Sequence, residues 1–223
     1  MALGKPDPRY AHSPKARSNF RLALRISLVF IGILWTIFIF DAVFGLRLGR
    51  FGLRPGSVSG AIGIITAPLL HGNFQDFLSN TLPMFISMTA ALYLYPNAST
   101  RVIPLIWAGS GALAWLIGRP SLHYGASGLI YGLLAFVFVS GILRRDMRSI
   151  SVSLLVGFLY GSMIWGVLPT RPHMSWEMHL SGAVLGVVLA IMYRNWDRVP
   201  LLRYEWEDDE TVPDWFPEKK QDD

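Results

Sequence analysis

One serine and one histidine in this sequence are of types that could carry out nucleophilic catalysis. Ser127 stands in the segment HYGASGLIYG, and His179 opens the segment HLSGAVLG. A serine hydroxyl becomes a useful nucleophile when a base accepts its proton, and a neutral imidazole is suited to that role at neutral pH. The chain has no cysteine, which excludes a thiolate nucleophile and a cysteine metal site. The pair predicts acyl-transfer chemistry, provided that the fold brings the two side chains together.

Glycines adjoin both residues at helical spacing. Gly128 follows Ser127 directly, Gly182 follows His179 by three positions, and each segment has another glycine four residues later. Small residues at this spacing let two membrane helices approach closely. Ordinary helix packing would explain the glycines alone, and a satisfied interior histidine would explain His179 alone. If the two glycine stripes pack together, Ser127 comes within hydrogen-bonding reach of His179.

Further polar residues lie near the start of another apolar segment. Asp76 and Asn80 fall in its first turns, at a depth similar to that of Ser127 and His179. Intramembrane ionisable residues indicate a functional site by default. The N–H of Ser127 near a helix N-terminus and the side-chain amide of Asn80 could both donate to an oxyanion, and one such donor contributes roughly 3–4 kcal/mol. Glu177 points elsewhere on its helix, so a dyad is expected rather than a triad.

Long apolar blocks must position these residues. The chain has 223 residues, of which 52% are hydrophobic and 16% charged, whereas about 25% charged residues is usual in soluble domains. Because a helix needs about 20 apolar residues to cross a bilayer, we predict an all-α polytopic membrane protein with six spans. The predicted spans are 26–46, 74–95, 102–118, 126–143, 150–168 and 178–193.

The distribution of charge predicts an orientation. Six spans place both termini on one side, and most of the 20 Lys and Arg residues fall on that side. The positive-inside rule therefore predicts cytoplasmic termini, and it explains the formal charge of +5 without nucleic-acid binding. We expect a cytoplasmic segment 1–21, a membrane domain 22–194 and an acidic cytoplasmic tail 195–223. The short connections and the absence of a cleavable signal favour a bacterial inner membrane.

Three motifs together resemble the rhomboid family of intramembrane serine proteases, across approximately residues 22–194. GASGLIYG matches the family's G-x-S-G, with a tyrosine four residues after the serine, and HLSGAVLG matches H-x-x-G-x-x-x-G. HGNFQDFLSN, from His71 to Asn80, has the spacing of the family's second-helix pattern. The order of the motifs and their placement on the predicted helices make this resemblance specific.

The resemblance implies a six-helix bundle in the lipid bilayer that hydrolyses peptide bonds in or beside transmembrane segments of single-span or polytopic membrane proteins. It makes Ser127 the nucleophile and His179 the general base, and it implies no metal or other cofactor. Tyr131 would pack on the imidazole, while Asn80 and the Ser127 N–H would bind the oxyanion. The fifth predicted span, 150–168, and the loop 168–176 would form a lateral gate and a cap. The same resemblance gives supporting roles to His71, Gly128 and Gly182.

Asp76 departs from the family pattern, in which many members have a histidine four residues before the asparagine. An ionised carboxylate would repel an oxyanion unless burial protonates it, it turns to solvent, or another hydrogen bond engages it. We expect Asp76 to turn to solvent, because it lies at the watery end of its helix. The alternative function is a catalytically inactive relative that binds membrane helices. A small transporter is disfavoured, because the sequence has no two similar hydrophobic halves.

Overall fold

The computed structural model describes residues 14–144, 146–169 and 174–197. Within these ranges the chain forms helices joined by turns and loops, and its one β-type pairing is an isolated bridge between Leu53 and His123. This confirms the all-α prediction for the described residues. Residues 1–13 and nearly all of the predicted acidic tail lie outside them. The helices are α1 (Pro14–Phe44), α2 (Gly63–Thr66), α3 (Phe74–Leu94), α4 (Pro96–Ile117), α5 (Ser127–Arg144), α6 (Met147–Tyr160) and α7 (Trp176–Met192).

Five helical segments are long and apolar enough to cross a membrane: Lys15–Phe44, Phe74–Leu94, Pro96–Ile117, Ser127–Arg144 and Met147–Val167. They make the protein an integral membrane protein. The last segment joins α6 to a 3₁₀ helix, Gly161–Val167. Helix α7 coincides with the sixth predicted span, but its 17 residues are fewer than a full crossing requires. Six crossings and the orientation of the termini stay predictions.

Four helices begin earlier than the sequence predicts, and two of them, α1 and α4, do so by more than one turn. Helix α1 begins at Pro14 instead of residue 26, so its first turns lie within the segment 1–21 that was predicted to precede the membrane domain. Hydropathy locates only its apolar part, whereas Ala, Lys and Arg in the preceding turns are good helix formers. Helix α4 begins at Pro96 instead of residue 102, because proline suits the first helical position and directly follows the end of α3.

Helix α5 lies at the centre of the bundle. It contacts α3, α4 and α6, and it packs most extensively against α7. Glycines allow this approach: a Cβ on Gly182 would overlap the carbonyl oxygen of Gly128, and one on Gly186 would overlap that of Gly132. We call these four residues the glycine seam. Apolar side chains gain little from leaving lipid, so such backbone contact supplies much of the helix association.

Between α1 and α3 the chain forms short helical turns around α2. Leu53 in this region is fully buried and exchanges two backbone hydrogen bonds with His123, at 2.7 and 2.8 Å. The Gly125 N–H donates to the Ala67 carbonyl at 2.9 Å. This layer therefore holds the loop between α4 and α5 in place, immediately before Ser127.

The other end of the bundle is tied by Asp197, just after α7. Its carboxylate caps α4, because Oδ1 accepts from the Asn97 N–H at 3.0 Å and Oδ2 accepts from the Ala98 N–H at 2.9 Å. Arg144, at the end of α5, donates to the Asp197 carbonyl at 3.0 Å. These contacts join the ends of α5 and α7 to the start of α4.

Candidate active site

Ser127 and His179 meet where α5 and α7 begin. Ser127 is the first residue of α5, and His179 lies in the first turn of α7. The distance from Ser127 Oγ to His179 Nε2 is 2.8 Å. The histidine is buried, with 6% of its surface exposed, and the serine is half-buried. The glycine seam lies directly behind the pair and holds the two helices at this separation.

A backbone carbonyl determines which nitrogen of His179 carries the proton. Nδ1 lies 2.9 Å from the carbonyl oxygen of Gly166. Because a carbonyl oxygen can only accept, Nδ1 is the protonated nitrogen, and Nε2 has a free lone pair that accepts from the Ser127 hydroxyl. The Gly166 carbonyl thus occupies the place that an aspartate takes in a Ser-His-Asp triad.

Tyr131 fixes the plane of the imidazole. Its ring stacks on His179 with 4.1 Å between centroids and 7° between planes. The Tyr131 hydroxyl donates to the Met163 carbonyl at 2.8 Å. Met163 and Gly166 both belong to Gly161–Val167, which we call the strap. A Cβ on Gly166 would overlap the Tyr131 hydroxyl, so the close approach of the strap requires glycine there.

Asn80 and Asp76 border the other side of Ser127. The Asn80 side-chain amide donates to the Asp76 backbone carbonyl at 2.9 Å and to the Asp76 Oδ1 at 3.0 Å. A Cβ placed on Gly125 would lie 3.7 Å from Asp76 Oδ2 and 3.8 Å from Ser127 Oγ. The carboxylate and the hydroxyl therefore face the same small space, where an oxyanion bound by Asn80 would form.

The prediction that Asp76 turns to solvent is wrong. The residue is half-buried, and its carboxylate is engaged by Asn80, which lies one turn later on the same face of α3. Its backbone N–H donates to the side chain of Asn73, which caps the helix, at 2.8 Å. The hydrogen bonds within the first turns of α3 therefore stabilise this orientation of the carboxylate more than hydration at the helix end would stabilise a solvent-facing one.

His71 supports the turn that precedes the serine. Gly125 has φ of +125°, which favours glycine, and the next N–H, that of Ala126, donates to His71 Nε2 at 3.4 Å. The His71 ring contacts Phe77 edge-on, with 5.0 Å between centroids. Burial lowers the pKa of His71 from 6.5 to about 4, so the imidazole is neutral at neutral pH and can accept this bond.

The structure brings Ser127, His179 and Tyr131 into direct contact. Asp76 faces the Gly125 turn beside Ser127 and binds Asn80, so the five predicted residues form one group. The remaining predicted positions adjoin it: Gly128 and Gly182 in the glycine seam, and His71 beneath the Ser127 turn.

Sequence reasoning missed other contributors. The Gly166 and Met163 carbonyls have no sequence signature, because every residue has a carbonyl. His123, in the loop before Ser127, is buried, with 1% of its surface exposed. Glu177 is fully buried and bound to Arg119.

Comparison with known proteins places this arrangement in a family. A family model described as the Rhomboid domain matches residues 59–196, which is more than half of the chain and includes every site residue named above. The chain belongs to the rhomboid family. The rhomboid match begins after α1 and ends at the residue before Asp197.

Two mycobacterial proteins are similar to this rhomboid over most of their length. The uncharacterized protein Rv1337 of Mycobacterium tuberculosis is 38% identical over 178 residues, which are 74% of this chain and 72% of that protein. The uncharacterized protein ML1171 of Mycobacterium leprae is 31% identical over 200 residues, which are 84% of this chain and 79% of that protein.

Proposed function

We propose that this rhomboid is an intramembrane serine endopeptidase that hydrolyses peptide bonds in or next to transmembrane segments of membrane proteins. The observation that carries the proposal is the 2.8 Å contact between Ser127 Oγ and His179 Nε2, with Nδ1 held by the Gly166 carbonyl. Residue types, separation and tautomer are those that general-base activation of a serine requires.

The reaction proceeds in two stages. Ser127 Oγ attacks the carbonyl carbon of the scissile peptide while His179 Nε2 accepts the hydroxyl proton, and a tetrahedral oxyanion forms. Its collapse breaks the C–N bond, and the leaving amine takes the proton from His179, which leaves an acyl ester on Ser127. Water then attacks this ester while His179 again accepts a proton. Collapse of the second tetrahedral oxyanion breaks the ester bond, His179 returns the proton to Ser127 Oγ, and the carboxyl product departs.

Transient charges in this reaction have partners in the site. The imidazolium keeps its bond to the Gly166 carbonyl and lies against the face of Tyr131, where a cation is favoured. The oxyanion would accept from the Ser127 N–H, which has no acceptor within its own helix, and from the Asn80 amide. To reach the oxyanion, that amide must leave Asp76 Oδ1.

We further propose six crossings with both termini in the cytoplasm of a bacterial cell, in its inner membrane. Residues 1–21 and 195–223 are then cytoplasmic flanks, and single-span or polytopic membrane proteins are the substrates. Substrate would enter past α6 and the strap. Phe158 and Trp165 on this side are exposed by 86% and 67%, and the strap has no buried residue. The part that moves aside for substrate would be α6, while the strap keeps its bonds to Tyr131 and His179.

The test is cleavage of a labelled single-span substrate by purified protein in liposomes, with Ser127→Ala and His179→Ala as controls. We expect product from the wild type alone, and labelling of wild-type Ser127 by a serine-reactive phosphonate. Circular dichroism would verify that both variants fold.

The alternative, an inactive relative that binds membrane helices, is favoured by one observation: Asp76 accepts the amide hydrogen that Asn80 would give to an oxyanion. A wild type that is inert towards several substrates and is not labelled by the phosphonate would support it.

A further inference from the structure

A partly buried ion pair lies beside the dyad without touching it. Arg119, just after α4, donates from Nε to Glu177 Oε1 at 2.6 Å and from its backbone N–H to the same oxygen at 3.2 Å. Its Nη2 donates to the Met174 carbonyl at 2.7 Å. The Glu177 side chain is inaccessible to solvent, whereas 39% of the Arg119 side chain is exposed. One arginine thus binds both the first turn of α7 and the residues before it.

A second contact joins the same two segments. His123 Nε2 lies 3.1 Å from the Arg119 carbonyl, and Nδ1 lies 2.9 Å from Ser175 Oγ. Nε2 also lies 3.0 Å from Ser121 Oγ. Because the Arg119 carbonyl can only accept, the tautomer that satisfies all three contacts has its proton on Nε2, and Nδ1 then accepts from the Ser175 hydroxyl. The backbone of His123 is fixed in turn by its paired bonds to Leu53.

We call Arg119, His123, Ser175 and Glu177 the outer bracket. Its two sides immediately precede the reactive pair along the chain: His123 is four residues before Ser127, and Glu177 is two residues before His179. The His179 N–H also donates to the Ser175 carbonyl, at 3.3 Å. The glycine seam fixes the separation of α5 and α7 on the far side of the dyad, so the reactive pair lies between two ties.

We infer that Glu177 and His123 are positioning residues for the Ser127–His179 pair. The outer bracket sets the position of the first turn of α7 along its axis relative to the start of α5. Glu177 therefore acts through the helix and not as a third member of a triad, because the Gly166 carbonyl already occupies Nδ1 of His179. This inference rests on the proposed function, since it assigns these residues to the geometry of that same reaction.

A purely structural ion pair would behave differently on removal. Its removal would lower the stability of the protein but would leave the turnover number of each folded molecule unchanged. A positioning pair, when broken, misplaces the base, and an error of about 1 Å in such geometry can reduce the rate by about 100-fold. Binding of substrate elsewhere would be retained, so kcat would fall and KM would not.

The experiment compares Glu177→Gln with Asp197→Asn in the full chain in liposomes. Both changes neutralise a buried carboxylate that binds an arginine and backbone N–H groups, but Asp197 lies at the opposite end of the bundle. Measurements are Tm, kcat and KM, and the ¹⁵N resonance of His179 Nε2, which reports its hydrogen bond from Ser127 without needing turnover. His123→Asn supplies a second, smaller change within the bracket.

We expect both carboxylate variants to lose stability. Glu177→Gln should lose about 10- to 100-fold in kcat with KM within about twofold, and its Nε2 resonance should move towards that of a ring without the hydrogen bond. Asp197→Asn should keep the wild-type kcat and resonance. A Glu177→Gln protein with lowered Tm but wild-type kcat and resonance would overturn the inference. An inert wild type whose Nε2 resonance still responds to Glu177→Gln would reject the protease and retain the positioning role.

Discussion

The side-chain amide of Asn80 donates to the carboxylate of Asp76, one turn earlier on α3, at 3.0 Å. The same amide nitrogen also donates to the backbone carbonyl of Asp76, at 2.9 Å. Both acceptors of the Asn80 amide in the described structure therefore belong to Asp76. An oxyanion at Ser127 would compete with the Asp76 carboxyl group for this amide, and Asp76 in its ionised form would also repel the oxyanion.

Replacing Asp76 with asparagine should therefore accelerate the reaction. Asp76→Asn keeps an oxygen acceptor for Asn80 but removes the charge, and we expect kcat/KM to rise by about tenfold at neutral pH, equivalent to about 1.4 kcal/mol. Kinetics in liposomes would measure it. Asp41→Asn is the control. Asp41 lies near the end of α1, and its carboxylate accepts from the N–H of Leu48 in the turn that follows, which is not part of the site. A lower kcat/KM in Asp76→Asn would mean that the carboxylate is needed to orient Asn80.

Gly166→Ala should disable the general base. The added Cβ would overlap the Tyr131 hydroxyl, so the strap must move outwards and withdraw its carbonyl from His179 Nδ1. Without that acceptor the required tautomer is no longer favoured, and we expect kcat to fall by about 100-fold or more. Gly161→Ala is a matched control in the same strap, because nothing lies within 4 Å of a Cβ there. Equal activity of the two variants would refute the role of the carbonyl.

The glycine seam should tolerate no side chain. Gly182→Ala places a methyl group against the Gly128 carbonyl, a backbone atom that cannot move independently of α5. We expect a loss of about 1–3 kcal/mol in the free energy of unfolding, together with loss of cleavage. Gly32→Ala in α1, where a Cβ meets nothing within 4 Å, should be neutral or slightly stabilising. Thermal unfolding in detergent would distinguish them, and a Tm for Gly182→Ala that matches the wild type would argue against the tight contact.

Burial of His71 should make the protein acid-labile. Its pKa is about 4 in the folded protein, against 6.5 ordinarily, so the unfolded chain binds more protons between pH 6.5 and 4. The free energy of unfolding should fall as the pH drops through this window, by roughly 3 kcal/mol in total, with the full stability present above pH 6.5. Unfolding measured in detergent across the window, for the wild type and His71→Gln, would isolate this contribution. Parallel pH dependences for the two proteins would contradict it.

The sequence leads to the reactive pair because its signals reside in side chains. Ser127 and His179 have distinctive chemistry, and the glycines beside them have a spacing that only helix contact explains well. Gly166 lacked such a signal, because its contribution is a backbone oxygen. Asp76 was expected in solvent because it lies at the watery end of its helix, although Asn80, one helical turn later, binds its carboxylate. Helix α1 begins before the predicted residue because hydropathy measures apolarity, whereas helix length follows backbone propensity.

The backbone contact between α5 and α7 has a consequence for the energetics of the cell. A hydrolase inside a membrane must admit water to its serine, yet a continuous file of water across the bilayer would conduct protons and dissipate the gradient that drives ATP synthesis. Where the carbonyls of Gly128 and Gly132 press against Gly182 and Gly186, the gap has no room for a water molecule. Behind the dyad these four glycines therefore leave no path for water between α5 and α7, which the proposed proteolysis requires if the membrane is to stay insulating.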